Sequence, residues 1–159
     1  MTNASDIPSA NDGVPSDWET KRTTQDWLRA ELQPLNKAVL FDALAAAGVT
    51  LVVVSFDGYG DSGQIESVEV KAGDTVVTMP KVTIDIADAM WDQVEPNRSN
   101  ISIADVVERL AYDFLTDTHC GWENNDGAYG DFTFDVAERT ITLDYNERYT
   151  ASDYSQHVF

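Results

Sequence analysis

Apolar positions recur at helical spacing in the first third of the chain, at strand spacing in the next, and at both in the last. Ser16 and Glu19 stand three apart, as in a capping box where hydroxyl and carboxylate each satisfy a free backbone amide. Trp18, Trp27, Leu28 and Leu32 then supply an apolar face. Pro34 lacks a backbone N–H and reads as a break. After it, Leu35, Val39, Leu40, Ala43, Leu44 and Ala47 predict a second helix that stops at Gly48. From Val49 the period changes. TLVVVSF is a β-branched run of strand length, DGYGDSG is turn chemistry, and the alternation from Ile65 to Val70 returns the chain as a hairpin.

Gly73-Asp74 turns the chain again into TVVTMPKVTIDI, where Pro80 belongs at an edge or between two short strands. EPNRSN reads as an irregular polar link. Residues 102–119 carry the strongest helical stripe, Ile103, Val106, Val107, Leu110, Ala111, Phe114 and Leu115, with Ser102 and Asp105 at capping-box spacing. Gly121 ends it. DFTFDV and TITLDYNERY then form a hairpin about Ala137-Glu138-Arg139, setting Phe132, Phe134 and Val136 against Ile141, Leu143 and Tyr145. The expected fold is therefore α+β: two N-terminal helices, a largely antiparallel sheet of four or five strands made of two hairpins, and one central amphipathic helix packed on one face. Residues 1–15 read as a disordered lead-in and 16–159 as a single domain.

Charge changes the picture of partners. Acids outnumber bases 28 to 10 for a formal net charge of −18, and residues 51–159 alone hold 21 acids against 6 bases, so the acidity belongs to the folded part. Such a surface repels nucleic acid and anionic membrane and favours cations or a basic protein surface. An acidic surface also serves solubility or adaptation to high salt, and composition does not separate these uses. The lone cysteine, Cys120, allows no internal disulfide and fits a reducing compartment. No apolar run reaches the roughly 20 residues of a membrane span, and MTNASDIPSANDG lacks the basic and apolar regions of a signal peptide, so a cytoplasmic location is expected.

Chemistry concentrates in two stretches that echo each other, FDGYGDSGQIE at 56–66 and GWENNDGAYGDFTFD at 121–135. The echo fits either an old duplication or convergence on good turn residues. GDSG, at 60–63, is similar to the nucleophile motif of chymotrypsin-like serine proteases. The chain is too short for their double barrel, however, and both histidines, His119 and His157, follow the serine, whereas that family places its base before it. Gly63, Ile65 and Glu69 have EF-hand spacing, but the first and third ligand positions would be Gly58 and Gly60, which offer no side-chain oxygen. A looser divalent-cation site remains as an alternative on Asp57, Asp61, Asp126 and Asp131, since hard cations need only converging oxygens. His119 and Cys120 are adjacent in a helical stretch and point in different directions, so they make no thiol–imidazole pair. His119 reads as meeting the helix's terminal carbonyls and Cys120 as a small core or boundary residue. The phenylalanines of the second stretch read as core. The binding candidates are Asp57, Tyr59, Asp61 and Glu66 from the first stretch, and Trp122, Glu123, Asn124, Asn125, Asp126, Tyr129 and Asp131 from the second.

The segment HxGWENNDGxxGxFxFD, carried here by His119, Gly121, Trp122, Glu123, Asn124, Asn125, Asp126, Gly127, Gly130, Phe132, Phe134 and Asp135, resembles a family of small bacterial proteins known as a domain of unknown function. The likeness extends over about residues 16–159 and includes the SFDGYGDSGQIE stretch. It brings no catalytic residues and implies a plasmid or phage setting, in which small acidic proteins act against host defence. The expected function is thus a non-enzymatic acidic binding protein, an anti-CRISPR or anti-restriction inhibitor. It would mimic nucleic acid or block a basic surface of a host nucleic-acid-binding defence protein, with no cofactor and no direct contact to nucleic acid or membrane. The alternative is a small metal-dependent enzyme or calcium-stabilised module in which the two Asp-Gly turns meet.

Overall fold

The computed structural model describes residues 17–60 and 62–159, so the capping position Ser16, the proposed lead-in and Asp61 lie outside the described residues. The elements are α1 (Asp17–Ala46), β1 (Leu51–Tyr59), β2 (Ser62–Ala72), β3 (Thr75–Val77), β4 (Thr83–Asp88), β5 (Asn97–Ser102), α2 (Ile103–Thr118), β6 (Ala128–Asp135) and β7 (Thr140–Glu147). Five strands form one sheet in the order β3-β2-β1-β6-β7, with every neighbouring pair antiparallel, and β4 and β5 form a two-stranded sheet. The fold is α+β: an antiparallel sheet with helices segregated from its strands in the chain. No helix among the described residues is long and apolar enough to cross a membrane.

Two expectations are corrected. The N-terminal helices are one 30-residue helix with Pro34 inside it. Pro34 removes one helical hydrogen bond, but its ring is exposed and the flanking turns bury Leu28 and Leu32 before it and Leu40, Phe41 and Leu44 after it, so tertiary packing carries the helix through the defect. The supposed link EPNRSN enters a strand, β5. Its residues have little intrinsic β preference. The strand exists because it pairs with β4, where Asn100 Nδ2 also donates to Asp85 Oδ1 at 2.8 Å.

The chain divides into two compact units, residues up to 39 with 84–101, and 40–83 with 102–159. In the first, Leu28 and Leu32 bury against Ala87. The Asn36 side chain locks onto the same residue from both sides, donating to Ala87 O at 2.8 Å and accepting from Ala87 N at 3.0 Å. The Trp18 and Trp91 rings meet at 6.1 Å.

The second unit holds the five-stranded sheet. Along β1 burial alternates strictly, with Val52, Val54 and Phe56 inward, and the register places them opposite Phe134, Phe132 and Gly130 of β6. The end of α1 and the apolar stripe of α2 lie against that inner face, as ring contacts of Phe41 with Phe134 and of Phe114 with Phe132 record, both at 6.3 Å. Ser102 caps α2 as its spacing predicts, accepting from Asp105 N at 3.2 Å. The opposite face, odd-numbered along β1 and β6, is half-exposed to exposed; Leu51 and Val53 lie on it at one end, and its other positions are polar or tyrosine.

Candidate functional site

The two Asp-Gly stretches meet in space. Asp57 pairs with Tyr129, Gly58 with Ala128 and Phe56 with Gly130 across β1 and β6, so the echoing residues are antiparallel neighbours. Their topologies differ: the first stretch ends a strand and turns into a hairpin, whereas the second leaves a helix-terminal loop and begins a strand. That difference favours convergence on turn chemistry over a repeated unit.

The loop from His119 to Gly127 is built by backbone needs. The N–H groups of Trp122, Asn124 and Gly127 donate to the carbonyls of His119, Gly121 and Asn124, at 3.0, 2.9 and 2.9 Å. Gly121 and Gly127 have φ of 81° and 80°, and Asn125, a residue that tolerates the left-handed region, has 61°. Gly60 N donates to Asn125 O at 3.2 Å, tying the hairpin tip to the loop. A Cβ on Gly127 would overlap the carbonyl oxygen of Gly58, so glycine is required there for close approach as well as for φ. Trp122 is buried and its ring lies on Gly58 and Gly63, with Phe56 edge-on at 5.4 Å.

The acids of the site hold protein partners. Asp57 receives a two-pronged pair from Arg148, Nη1 to Oδ1 at 2.8 Å and Nη2 to Oδ2 at 3.1 Å, and the guanidinium also lies 4.6 Å from the Tyr129 ring centre. The Arg148 guanidinium is held above its usual range first by that hydrogen bond to Asp57, so it stays charged. Ser55 Oγ donates to Asp131 Oδ1 at 2.5 Å, and Thr150 Oγ1 to Asp126 Oδ2 at 2.8 Å. Glu66 is the extra residue of a bulge in β2, where Ser67 pairs with Ser55 but Ile65 with Phe56, and it accepts from Gln64 Nε2 at 3.3 Å. Tyr59 projects, 70% exposed. Among the described residues no three His, Cys, Asp or Glu converge as metal ligands. Asp57, Asp126 and Asp131 bind three different partners rather than one centre.

His119 and Cys120 depart from their expected roles. Cys120 is exposed, because the chain has left the helix before reaching it. At His119 the backbone N–H, not the imidazole, meets a helix carbonyl, that of Leu115 at 2.8 Å. The ring instead stacks on Tyr145 with centroids 3.6 Å apart and planes at 13°. Thr118 Oγ1 spends its proton on Phe114 O at 2.6 Å and therefore accepts from His119 Nδ1, 2.9 Å away. In the neutral ring Nε2 is then the acceptor.

Behind the stack lies a concave pocket of about 170 Å³ lined by His119, Trp122, Asn124, Asn125, Tyr145 and Glu147, among others. Burial raises the Tyr145 phenol above its usual range, and the charges of Glu147 and Glu123 push it further the same way. The folded protein therefore holds this proton more tightly than the unfolded chain. The stability linked to it is present below about pH 10 and is lost as pH rises through the shifted value. Urea midpoints measured from pH 9 to 11.5 should fall, and Tyr145→Phe should flatten the fall. An unchanged slope would assign the alkaline loss to other groups.

Arg148 and Glu147 are not among the residues singled out from the sequence, and Tyr145 is expected only as an apolar partner in the hairpin, yet a count along the strands places all three at the site. Stepping outward from the turn pairs Asp135 with Thr140 and Ala128 with Glu147, which leaves Arg148 beside Gly127, where its N–H donates to Gly127 O at 2.9 Å.

Fold and site together define an α+β protein in which a glycine-rich hairpin tip and a helix-terminal loop close one end of an antiparallel sheet. The chain matches the model of a family of unknown function, DUF6878, over residues 32–159, and it belongs to that family. No curated protein and no solved structure matches it.

Proposed function

We propose that the protein is a non-enzymatic binding protein whose polar sheet face engages a basic protein surface, as an inhibitor of a nucleic-acid-directed host defence system carried by a mobile element. The observation that supports this reading is the arrangement of carboxylates on that face. Register and alternation bring Asp57, Glu69, Asp131, Asp135 and Asp144 to one side of the sheet, against the bases Lys71 and Arg148. Lys71 approaches Glu69 at 3.8 Å and Arg148 is committed to Asp57, so no Lys or Arg among the described residues is paired with Asp131, Asp135 or Asp144.

Asp131 and Asp144 stand directly opposite each other on β6 and β7. Cross-strand partners have Cβ atoms about 5 Å apart, and like charges there destabilise a sheet by up to about 1 kcal/mol. Asp135 follows Asp131 by about 13 Å along the strand. Negative charges held in rows on a rigid surface can substitute for phosphates in a basic groove and give fast, salt-sensitive association.

The test is inhibition of DNA cleavage by a panel of restriction and RNA-guided nucleases. For a susceptible nuclease, inhibition should weaken as salt rises and as competing DNA is added. The Asp131→Asn, Asp135→Asn, Asp144→Asn triple variant should inhibit at least tenfold more weakly. Cleavage untouched across the panel, or a triple variant as potent as the parent, sinks the proposal.

A further inference from the structure

We infer that the pocket bounded by the His119–Tyr145 stack, Trp122, Asn124, Asn125 and Glu147 is a receptor for a single guanidinium, the arginine side chain of a basic partner protein. The inference rests on the proposed class of partner but concerns a different surface, at the helix-terminal end of the sheet's inner face.

Size limits the occupant first. Pockets for drug-sized ligands and cofactors run to roughly 300–1,000 Å³. A space of about 170 Å³ takes one side-chain head and not a nucleotide. Charge selects its sign. Glu147 lines the pocket, and Glu123 lies close enough for its charge to act on the same phenol. No Lys or Arg among the described residues is paired with either carboxylate. The phenol stays protonated through the neutral range and adds no competing charge. A metal ion fits poorly, since no three ligating side chains converge among the described residues.

Shape and hydrogen bonding then favour guanidinium over ammonium. The lining carries three rings, His119, Trp122 and Tyr145, and a guanidinium packs against aromatic groups while presenting its N–H fork sideways to a carboxylate. The acceptors are of the required kind: the Glu147 carboxylate and the side-chain carbonyls of Asn124 and Asn125. Trp122 is anchored on the hairpin glycines and Gly121 and Gly127 fix the loop, so the walls are set before any ligand arrives.

The direct test titrates N-acetyl-arginine amide into the full chain while the side-chain resonances of His119, Trp122 and Asn124 are followed by NMR. Saturable shifts confined to the pocket are expected, with Kd in the millimolar range proper to one side chain. The lysine analogue should bind at least threefold more weakly and the neutral citrulline analogue should give no saturable shift. Glu147→Gln, at an exposed position that the fold tolerates, should weaken arginine about fivefold, with Glu123→Gln as a second variant.

No pocket shift, or citrulline binding as well as arginine, overturns the inference. Lysine binding equally well overturns the guanidinium assignment. Failure of the two proposals is separable. Pocket binding of arginine by a protein that inhibits no nuclease removes only the sheet-face reading. Salt-sensitive inhibition lost in the triple aspartate variant, with no arginine shift, removes only the pocket.

Discussion

Replacing Gly127 by alanine should lower stability by about 3–5 kcal/mol, among the largest effects available to a single methyl in this chain. Two penalties add. Gly127 has φ of 80°, and an L residue forced into the left-handed region loses about 1–2 kcal/mol. The added Cβ would also overlap the carbonyl of Gly58, which is backbone in the last pair of the β1–β6 register and cannot turn aside as a side chain would. The hairpin tip must therefore separate from the loop, and the hydrogen bonds from Gly60 N to Asn125 O and from Arg148 N to Gly127 O go with it. Gly48 is the control, because it has the same φ of 80° with nothing within 4 Å of its would-be Cβ. Gly48→Ala should cost only the conformational part, about 1–2 kcal/mol. At a few degrees per kcal/mol for a chain of this size, thermal denaturation should separate the two variants by about 5–10 °C. Equal effects would show that backbone conformation alone demands glycine at 127.

Trp122→Ala should cost about 3–5 kcal/mol, the usual range for emptying a buried aromatic site. Trp122 is only 8% exposed and its ring covers both Gly58 and Gly63 while meeting Phe56 edge-on. The contact with glycine gives the prediction a sharper form. A Cβ on Gly63 would collide with the ring, so Gly63→Ala is costly in the parent, whereas in the Trp122→Ala background the same methyl enters the vacated space. The double-mutant cycle should return a coupling above about 1 kcal/mol, read from urea midpoints at constant m value. Additive effects would mean that the indole does not rest on the glycine pair. Because Trp122 also walls the pocket, its loss should abolish arginine binding there, while Gly48→Ala leaves that binding intact.

Both predictions concern residues of the segment that first looked catalytic. Gly121, Asn125 and Gly127 supply left-handed backbone, Gly130 lets β6 pass close to Asp144 O, and Phe132 and Phe134 fill the core. These positions are explained by folding. Glu123, Asp126 and Tyr129 are not needed to make the turn, and their side chains remain half-exposed or exposed. What folding leaves unexplained in the segment is therefore its polar remainder, Glu123, Asp126 and Tyr129.

Period and turn chemistry were enough to read α2 with its Ser102 cap, the β1–β2 and β6–β7 hairpins and the inward phenylalanines, because each depends on residues a few positions apart. The α+β class follows from the same local signals. What local signals misread was decided by distant packing: Pro34 sits inside α1 because buried leucines flank it, and β5 is a strand because β4 is there to pair with it. The site is tertiary almost throughout. Asp57 meets Arg148 across 91 positions of sequence, and Trp122 reaches glycines some 60 positions earlier, through strand pairings that no short window contains. The amino-acid sequence by itself determined which residues could turn, bury or carry charge. Only the tertiary structure decided which carboxylates share a face, which are neutralised by arginine, and which line a pocket, because those properties depend on register and through-space distance.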